Sequence, residues 1–466
     1  MNVHWHRRDL RVADNRALAE AAADDAVLPV FVLDPGVLDH AGPPRVAFLL
    51  DALESLRETY RGLGGDLLVV RGDPREELPR IARERDAEAV YWNRDYSGLA
   101  RERDSAVRLA LDDAGVSRGA YHDELLHEPG SIRTNKGEHY SVFSYFWKKW
   151  ADREKDRPID APAAGRIVDP GDASPIPTLD DLGVEAPTAE IPPAGTESAR
   201  ERLRAFCEGP IFRYDESRDD PAADATSRLS VQLKYGTLGV REVWATVADA
   251  AERADGDEAD AVEEYQRQLA WREFYAHVLA ARPDVVTEDY RGYDNPVEWR
   301  DDPEALQAWK DGRTGYPIVD AGMRQLRAEA WMHNRLRMVV ASFLTKDLLI
   351  DWRAGYDWFR EKLVDHDTAN DTGGWQWAAS TGTDAQPYFR VFNPMTQGER
   401  HDPDAEYIKR YVPELRDAPP DEIHSWHELS DAERDRIAPA YPEPIVDHAD
   451  RRERAIEMFE RARGED

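Results

Sequence analysis

Val27-Leu-Pro-Val-Phe-Val-Leu33 is an uninterrupted apolar, β-rich run, and the residues on either side of it decide the fold class. Beyond it, Leu49, Leu53, Leu56, Tyr60 and Leu63 recur at spacings of three and four, the stripe of an amphipathic helix. A second β-rich run, Leu67–Val70, follows that helix, and further runs stand at Val3–His6 and Ala89–Trp92. Strands separated by helices at this spacing predict a parallel sheet with helices on both faces. Gly64-Gly65 and Gly72-Asp73-Pro74 punctuate the pattern as turns. No G-x-G-x-x-G follows a strand and no Walker A sequence occurs, so the usual nucleotide fingerprints are absent from this Rossmann-like α/β region, placed at residues 1–130.

Further along the chain, periodicity fades. Prolines and acidic residues dominate from Arg157 to Pro193, which predicts a long connector within residues 131–196. Residues 197–466 read as all-helical, with apolar residues at helical spacing in Val262–Leu279, Met323–Leu349 and Trp352–Leu363. Ten of the fourteen tryptophans lie from Trp244 onward, which places the aromatic chemistry in this second part.

Composition bounds the function. Cys207 is the only cysteine, so an intramolecular disulfide and a cysteine metal cluster are both excluded, and a reducing cytoplasm fits. Arg7, Arg8, Asp9 and Arg11 interrupt any apolar run near the start, and no apolar segment is long enough to span a bilayer. The expected protein is soluble, cytoplasmic and without membrane contact. Its formal charge is −32, and lysine supplies nine of the 61 basic residues. An acidic, arginine-rich surface suits a cytosol of very high salt, where screening removes self-repulsion, although an ordinary acidic enzyme has the same signature. Taken alone, that charge argues against nucleic acid as a partner, so such a partner needs local signals.

Four constellations supply them. Thr226-Ser-Arg-Leu-Ser230, preceded by Tyr214 and Arg218, groups hydroxyls and backbone N–H groups beside a guanidinium, which suits a phosphate or an ordinary helix cap. Helical spacing sets Gln268, Trp271, Arg272 and Tyr275 along one side, where they either stack on a base or pack in a core. Asn334 and Met338 lie four apart with Arg337 beside them. Arg324, Arg327, Arg335, Arg337 and Lys346 make that stretch locally basic, which is either a partner footprint or a set of carboxylate pairs. The run from Asp365 through His366, Asp367 and Asp371 to Trp377 gathers carboxylates, a Gly-Gly and two tryptophans. Three adjacent residues cannot easily face one metal, so no metal is expected there.

In order, Trp5-His-Arg-Arg-Asp-Leu-Arg11, Tyr214, Thr226–Ser230, Trp271-Arg-Glu-Phe274, Gly315-Tyr-Pro-Ile-Val-Asp320, Trp331-Met-His-Asn334 and Gly373-Gly-Trp-Gln-Trp377 resemble the photolyase/cryptochrome family, closest to its class I cyclobutane-dimer enzymes of haloarchaeal type. The likeness runs from near residue 1 to about Leu415. It implies an N-terminal α/β antenna domain and a C-terminal helical domain holding FAD. Tyr214, Thr226, Ser227, Arg228, Leu229 and Ser230 take the flavin's phosphate and sugar portions. Gln268, Arg337, Asp365, His366 and Asp367 complete its site, with Asp371 near flavin N5. Gln268, Trp271, Arg272, Tyr275, Asn334, Arg335, Met338, Trp377 and Gln397 meet the damaged bases or the flanking strand. Trp375, Trp352 and Trp299 match the family's electron relay. The implied activity is light-driven electron transfer from reduced FAD that splits cyclobutane pyrimidine dimers in ultraviolet-damaged DNA, with the lesion flipped from the duplex by a monomeric enzyme.

Three positions depart from the common pattern of the family. Gln268 replaces a frequent glutamate, a change shared with many (6-4) enzymes, whose two lesion-facing histidines are here Asn334 and Met338; cyclobutane dimers therefore lead. Asp371 stands where repair enzymes usually carry asparagine and plant-type cryptochromes aspartate, which keeps a photoreceptor without repair activity as the alternative. Ala100 replaces a folate-site glutamate, so a deazaflavin antenna is favoured over methenyltetrahydrofolate.

Overall fold

The computed structural model describes residues 1–23 and 25–465. Two compact units are present, one of Met1–Pro187, Ile191–Asp215 and Thr226–Pro283, the other of Thr188–Glu190, Glu216–Ala225 and Asp284–Asp466.

The first unit is built on five strands, β1 (Asn2–His6), β2 (Val27–Leu33), β3 (Leu68–Arg71), β4 (Ala89–Asn93) and β5 (Ser117–Tyr121), ordered β3-β2-β1-β4-β5 and parallel throughout. Register sets Trp5 opposite Val30, Val3 opposite Val90 and Phe31 opposite Val69. Both faces of β1 and β2 are buried, which is why they read as continuous apolar runs rather than alternating ones. Between the strands run α1 (Arg16–Ala22), α2 (Pro43–Gly62), α3 (Pro74–Glu84) and α4 (Gly98–Asp113). Their starts are fixed by local chemistry: Asn15, Asp73 and Ser97 each accept a backbone N–H of the first turn. The expected parallel α/β fold is present. β5 was not legible, because it is an edge strand with no buried residue and no apolar run. The connector also contributes: Val168 N–H donates to Val27 and Val27 N–H to Arg166, at 2.9 and 2.7 Å.

Further helices of this unit include α5 (Phe143–Ala151), α6 (Val240–Arg253) and α7 (Asp257–Ala281). Arg241 of α6 is fully enclosed, its Nε 2.6 Å from Asp14, with its Nη2 on Asp123, which also receives Arg11. Glu273 of α7 accepts N–H groups from Leu126, from His127 (3.2 Å) and from the Trp150 indole (2.7 Å), so one carboxylate ties a loop and α5 to α7. Burial pushes the Glu273 carboxyl up to about 7, against those donors and Arg272. An acid raised above its ordinary value of 4.5 keeps, in the folded state, a proton that the unfolded chain releases. Its contribution is full below that value and is lost as pH rises towards 7. Denaturant unfolding should therefore show wild-type stability falling relative to Glu273→Gln by up to about 3 kcal/mol across that window. Parallel pH profiles for the two proteins would refute the raised value.

The second unit is helical. Its site-bearing elements are α8 (Pro317–Glu329), α9 (Asn334–Ser342), α10 (Trp352–Lys362), α11 (Thr368–Ala378) and α12 (His448–Ala462), around a core that includes Trp309, Trp352, Phe359, Trp375, Tyr407 and Trp426. The periodic run Met323–Leu349 is not one helix. Ala330 takes a left-handed φ of 49°, and His333 caps Arg335 N–H, so the chain breaks between α8 and α9 without glycine or proline to announce it. Phe343–Asp347 then continues α9 as a π-helical turn. Among the described residues no helix is long and apolar enough to cross a membrane.

Candidate functional site

The helical unit gathers its charges at the start of α11. Asp367 caps that helix, its Oδ1 accepting the Asn370 N–H at 3.0 Å. One turn in, Asp371 Oδ2 lies 2.6 Å from His366 Nδ1 and accepts the Asp367 N–H at 3.3 Å. From α9, Arg337 donates through Nη2 to both oxygens of Asp365 at 3.0 and 2.7 Å, and its Nη1 lies 3.7 Å from Asp371. Its Nε donates to the Met332 carbonyl, which fixes the guanidinium plane. Asp365, His366 and Asp371 are buried, so this is one cation shared by two carboxylates away from water. Burial works against the charge of Arg337, but Asp365 and Asp371 outweigh it and push its pKa up. Asp365, His366 and Asp367 turn to three different partners and do not converge on a common point.

Trp375 stands four residues after Asp371, on the same face of α11. Its ring is held by Phe359 at 4.9 Å and Trp309 at 6.0 Å between centroids, and its buried indole N–H has no acceptor among the described residues. Trp352 donates its N–H to Asp289 at 2.8 Å, and the Arg353 guanidinium lies 4.6 Å from its ring centre. Trp299 is half-buried against Phe459. The three indoles share one hydrophobic core, and their aromatic ring neighbours include Trp309 and Phe359 for Trp375, Tyr356 for Trp352 and Phe459 for Trp299. Trp377 is half-buried beside Phe392, and Gln397 carries a buried Oε1 with no donor. Asn334 is exposed, its amide nitrogen 3.8 Å from Met338 Sδ.

The basic stretch around these residues is not an open cationic footprint. Arg324 pairs with Glu414, Arg327 with Asp311, Arg335 with Asp219 and Arg337 with Asp365, while Lys346 is buried and donates to Ser380 Oγ. The carboxylate-pair alternative holds, because acidic partners distant in sequence fold back onto each arginine.

In the first unit, Tyr214 is buried with its ring 5.2 Å from Tyr265, whose hydroxyl donates to Ser227 Oγ at 3.0 Å. The Ser227 carbonyl accepts Arg202 Nε at 2.6 Å, and Arg228 follows in the left-handed region at φ 47°. Leu229 is buried, Thr226 half-buried, and Ser230 exposed at the start of a short helix, Ser230–Tyr235. Along α7, Gln268 donates to Glu264 Oε1 at 2.8 Å. Trp271 lies flat on Phe143, centroids 3.8 Å apart at 9°, with Tyr275 beside it. Arg272 turns its guanidinium instead to the carbonyls of Glu124 and Leu233. Phe143, Glu273, Asp219 and Asp289 were not singled out in the sequence, since each acts through a partner far along the chain.

Among the described residues one group has metal-ligand chemistry: His4, His6 and Asp9 bring ligand atoms within 4.8 Å of one another in the sheet core. The Asp9 carboxylate already accepts Arg7 N–H at 2.7 Å and the Asn93 and Asn15 amides at 2.6 and 3.2 Å. The Asp9 carboxylate is thereby held by donors from β4 and from the turn after β1.

Comparison with known proteins places this geometry. A family model described as DNA photolyase matches residues 2–163, and one described as FAD binding domain of DNA photolyase matches residues 265–461. The chain is 61% identical to the deoxyribodipyrimidine photo-lyase of Halobacterium salinarum over the whole of both. Among solved structures it resembles a class III photolyase of Agrobacterium tumefaciens, with TM-score 0.91 and 34% identity over 99% of this chain and 98% of that one. It also resembles an archaeal photolyase of Sulfolobus tokodaii solved with two FAD molecules, with TM-score 0.86 and 33% identity over 99% and 100%. The chain belongs to the DNA photolyase family.

Proposed function

We propose that this protein is a deoxyribodipyrimidine photo-lyase that binds ultraviolet-damaged DNA and splits cyclobutane pyrimidine dimers with light and reduced FAD. The observation that carries the reading is the whole-length likeness to a named photo-lyase together with a complete Arg337–Asp365–Asp371–His366 cluster whose carboxylates and imidazole are buried. The residues present suit a flavin. A cluster of one guanidinium, two carboxylates and an imidazole, beside an indole N–H that lacks an acceptor, offers both donors and acceptors to a ring edge that carries both. When bound and reduced, FAD supplies light absorption and the single electron that the splitting requires.

The chain's own residues do the rest. Arg337, Asp365, His366, Asp367 and Gln268 would hold the flavin ring and ribityl portion, with Asp371 near N5. Tyr214 and Thr226, Ser227, Arg228, Leu229 and Ser230 hold its phosphates and sugar. Trp271 and Trp377 grip the flipped bases; because Phe143 already supports one face of Trp271, the other is pre-oriented and little ordering entropy is lost on stacking. Asn334, Met338 and Gln397 line the lesion, Arg335 and Tyr275 border it, and Arg272 holds the wall behind. Asn334 and Met338 in place of histidines favour cyclobutane over (6-4) lesions. Trp375, Trp352 and Trp299 would relay an electron inward to reload the cofactor when it is bound, a route separate from repair.

A deazaflavin serves as antenna. Ala100, buried on α4, offers no carboxylate for a folate, and the archaeal relative's second FAD supports a tricyclic chromophore. The acidic surface and the Halobacterium relative support work in high salt, as a cytoplasmic monomer whose α/β part holds the antenna and whose helical part holds FAD.

Purified protein, dimer-containing DNA, a reductant and blue light test the reading: restored thymines are expected, and spectral change without repair would identify a cryptochrome instead. Trp299→Phe should slow photoreduction of oxidised enzyme and leave repair by pre-reduced enzyme intact. Loss of repair by the pre-reduced variant would remove Trp299 from the relay.

A further inference from the structure

We infer that the exposed face of α5, formed by Tyr145, Lys148 and Lys149, is a second DNA-contacting surface that takes the sugar–phosphate backbone of undamaged duplex beside the lesion. The inference rests on the repair reading above and extends it beyond the damaged bases.

The observation behind it is a contrast. Positive charge in this chain is outnumbered, 61 basic residues to 93 acidic, and where the sequence looked most basic it is already paired. Four of the nine lysines nevertheless fall between residues 136 and 155. Lys148 and Lys149 are exposed, and neither makes an ion pair with a described carboxylate. Tyr145 is 60% exposed one turn earlier, with Lys148 Nζ 6.0 Å from its ring centre. Positions 145, 148 and 149 share one helical face, so an aromatic ring and two cations point the same way. Asp152 lies one turn on and is also exposed, which leaves the face with net positive charge.

A simpler role for lysines near a helix C-terminus is to satisfy its last carbonyls. That role is taken here: Lys155 Nζ donates to the Trp150 and Ala151 carbonyls at 2.6 and 3.0 Å. The opposite side of α5 is locked, with Phe143, Phe146, Trp147 and Trp150 buried and Phe143 stacked on Trp271. α5 therefore carries its outer face as a rigid extension of the platform under Trp271. Arg267, paired with Glu264, lies 5.4 Å from both Phe143 and Trp147 and adds a guanidinium to the rim. Exposed lysine charges without a carboxylate partner among the described residues, beside a flat ring, suit a phosphate backbone, which needs point charges and no base reading.

Binding of a short synthetic duplex, with and without one thymine dimer, measured across a salt series in Lys148→Glu/Lys149→Glu, tests this. Each phosphate contact contributes about 0.9 to the slope of log affinity against log salt, so the double variant should flatten the slope by about 1.8. Damaged and undamaged DNA should lose affinity in the same proportion, Tyr145→Ala should lose less, and Lys148→Arg/Lys149→Arg should restore the slope. Should the glutamate variant fail to fold by thermal unfolding, Lys148→Gln/Lys149→Gln gives the same reading with less perturbation. An unchanged slope, which would leave the face to an acidic protein partner, or a loss confined to damaged DNA, overturns the inference. A wild type that binds duplex without preferring the dimer sinks the repair reading alone, and the double variant still decides this surface.

Discussion

Replacing Asp320 with alanine is expected to cost about 3–5 kcal/mol of stability, enough to unfold much of the protein under mild conditions. Asp320 sits in the first turn of α8 with no exposure to solvent. Its Oδ1 accepts both the N–H and the hydroxyl of Thr314 at 2.7 Å; its Oδ2 accepts Gly315 N–H at 3.0 Å and the Tyr441 hydroxyl at 2.6 Å. Burial raises its pKa, and the donors pull the other way. Alanine would leave four donors facing a dry void, and each unmet buried donor costs about 1–3 kcal/mol before relaxation. Asp320→Asn should recover only part of the loss, because its NH2 group must face a donor that the carboxylate accepted. A shift in the urea midpoint at unchanged m-value measures both. A loss below about 1 kcal/mol for the alanine variant would mean that water replaces the carboxylate and that the network is not a stability element.

Gly355→Ala should be nearly as damaging, although alanine is the better helix former by about 1 kcal/mol. A β-carbon on Gly355 of α10 would lie 2.0 Å from Trp375 Cη2 and 2.4 Å from Cζ3. Phe359 and Trp309 leave the indole no room to retreat, so the new methyl must displace the ring or push α10 outward. Overpacking of this kind costs about 1–3 kcal/mol and more where the neighbour is rigid, which outweighs the propensity gain. If Trp375 carries the electron as proposed, a ring displaced by about 1 Å should also slow photoreduction by tenfold or more. Thermal unfolding and the rate of flavin reduction under blue light read the two effects separately. A variant as stable and as photoreducible as wild type would show that the ring and helix adjust freely.

Much of the fold was written in local pattern. The runs at Val27–Leu33 and Val3–His6 were legible because parallel strands buried on both faces are apolar without alternation. Ser117–Tyr121 was not, since an edge strand needs no such run. The break after Glu329 was hidden for another reason: Ala330 adopts a conformation that glycine usually announces. At the candidate site, residue types in order sufficed to bring Arg337, Asp365, His366 and Asp371 to notice. Their partners were beyond reach of the sequence. Asp219 neutralises Arg335 across 116 positions and Asp289 meets Trp352 across 63, and no local periodicity records such pairings. The same gap made the Arg324–Lys346 stretch look cationic and left Lys148 and Lys149 unremarked.

The enclosed Arg241 has a consequence for how the chain is made. Asp14 and Asp123 leave the ribosome long before the guanidinium that lies between them, and at about 5–20 residues per second more than a hundred residues separate the second carboxylate from its partner. During that interval a nascent sheet can align, with Arg11 and the Arg16 N–H to hold Asp123, but its acidic edge cannot be sealed. Final closure of the strand-bearing half thus waits on translation of α6. A truncated product ending before residue 240 should accordingly be open to proteases at the Asp14 turn, while one ending after Pro283 resists them.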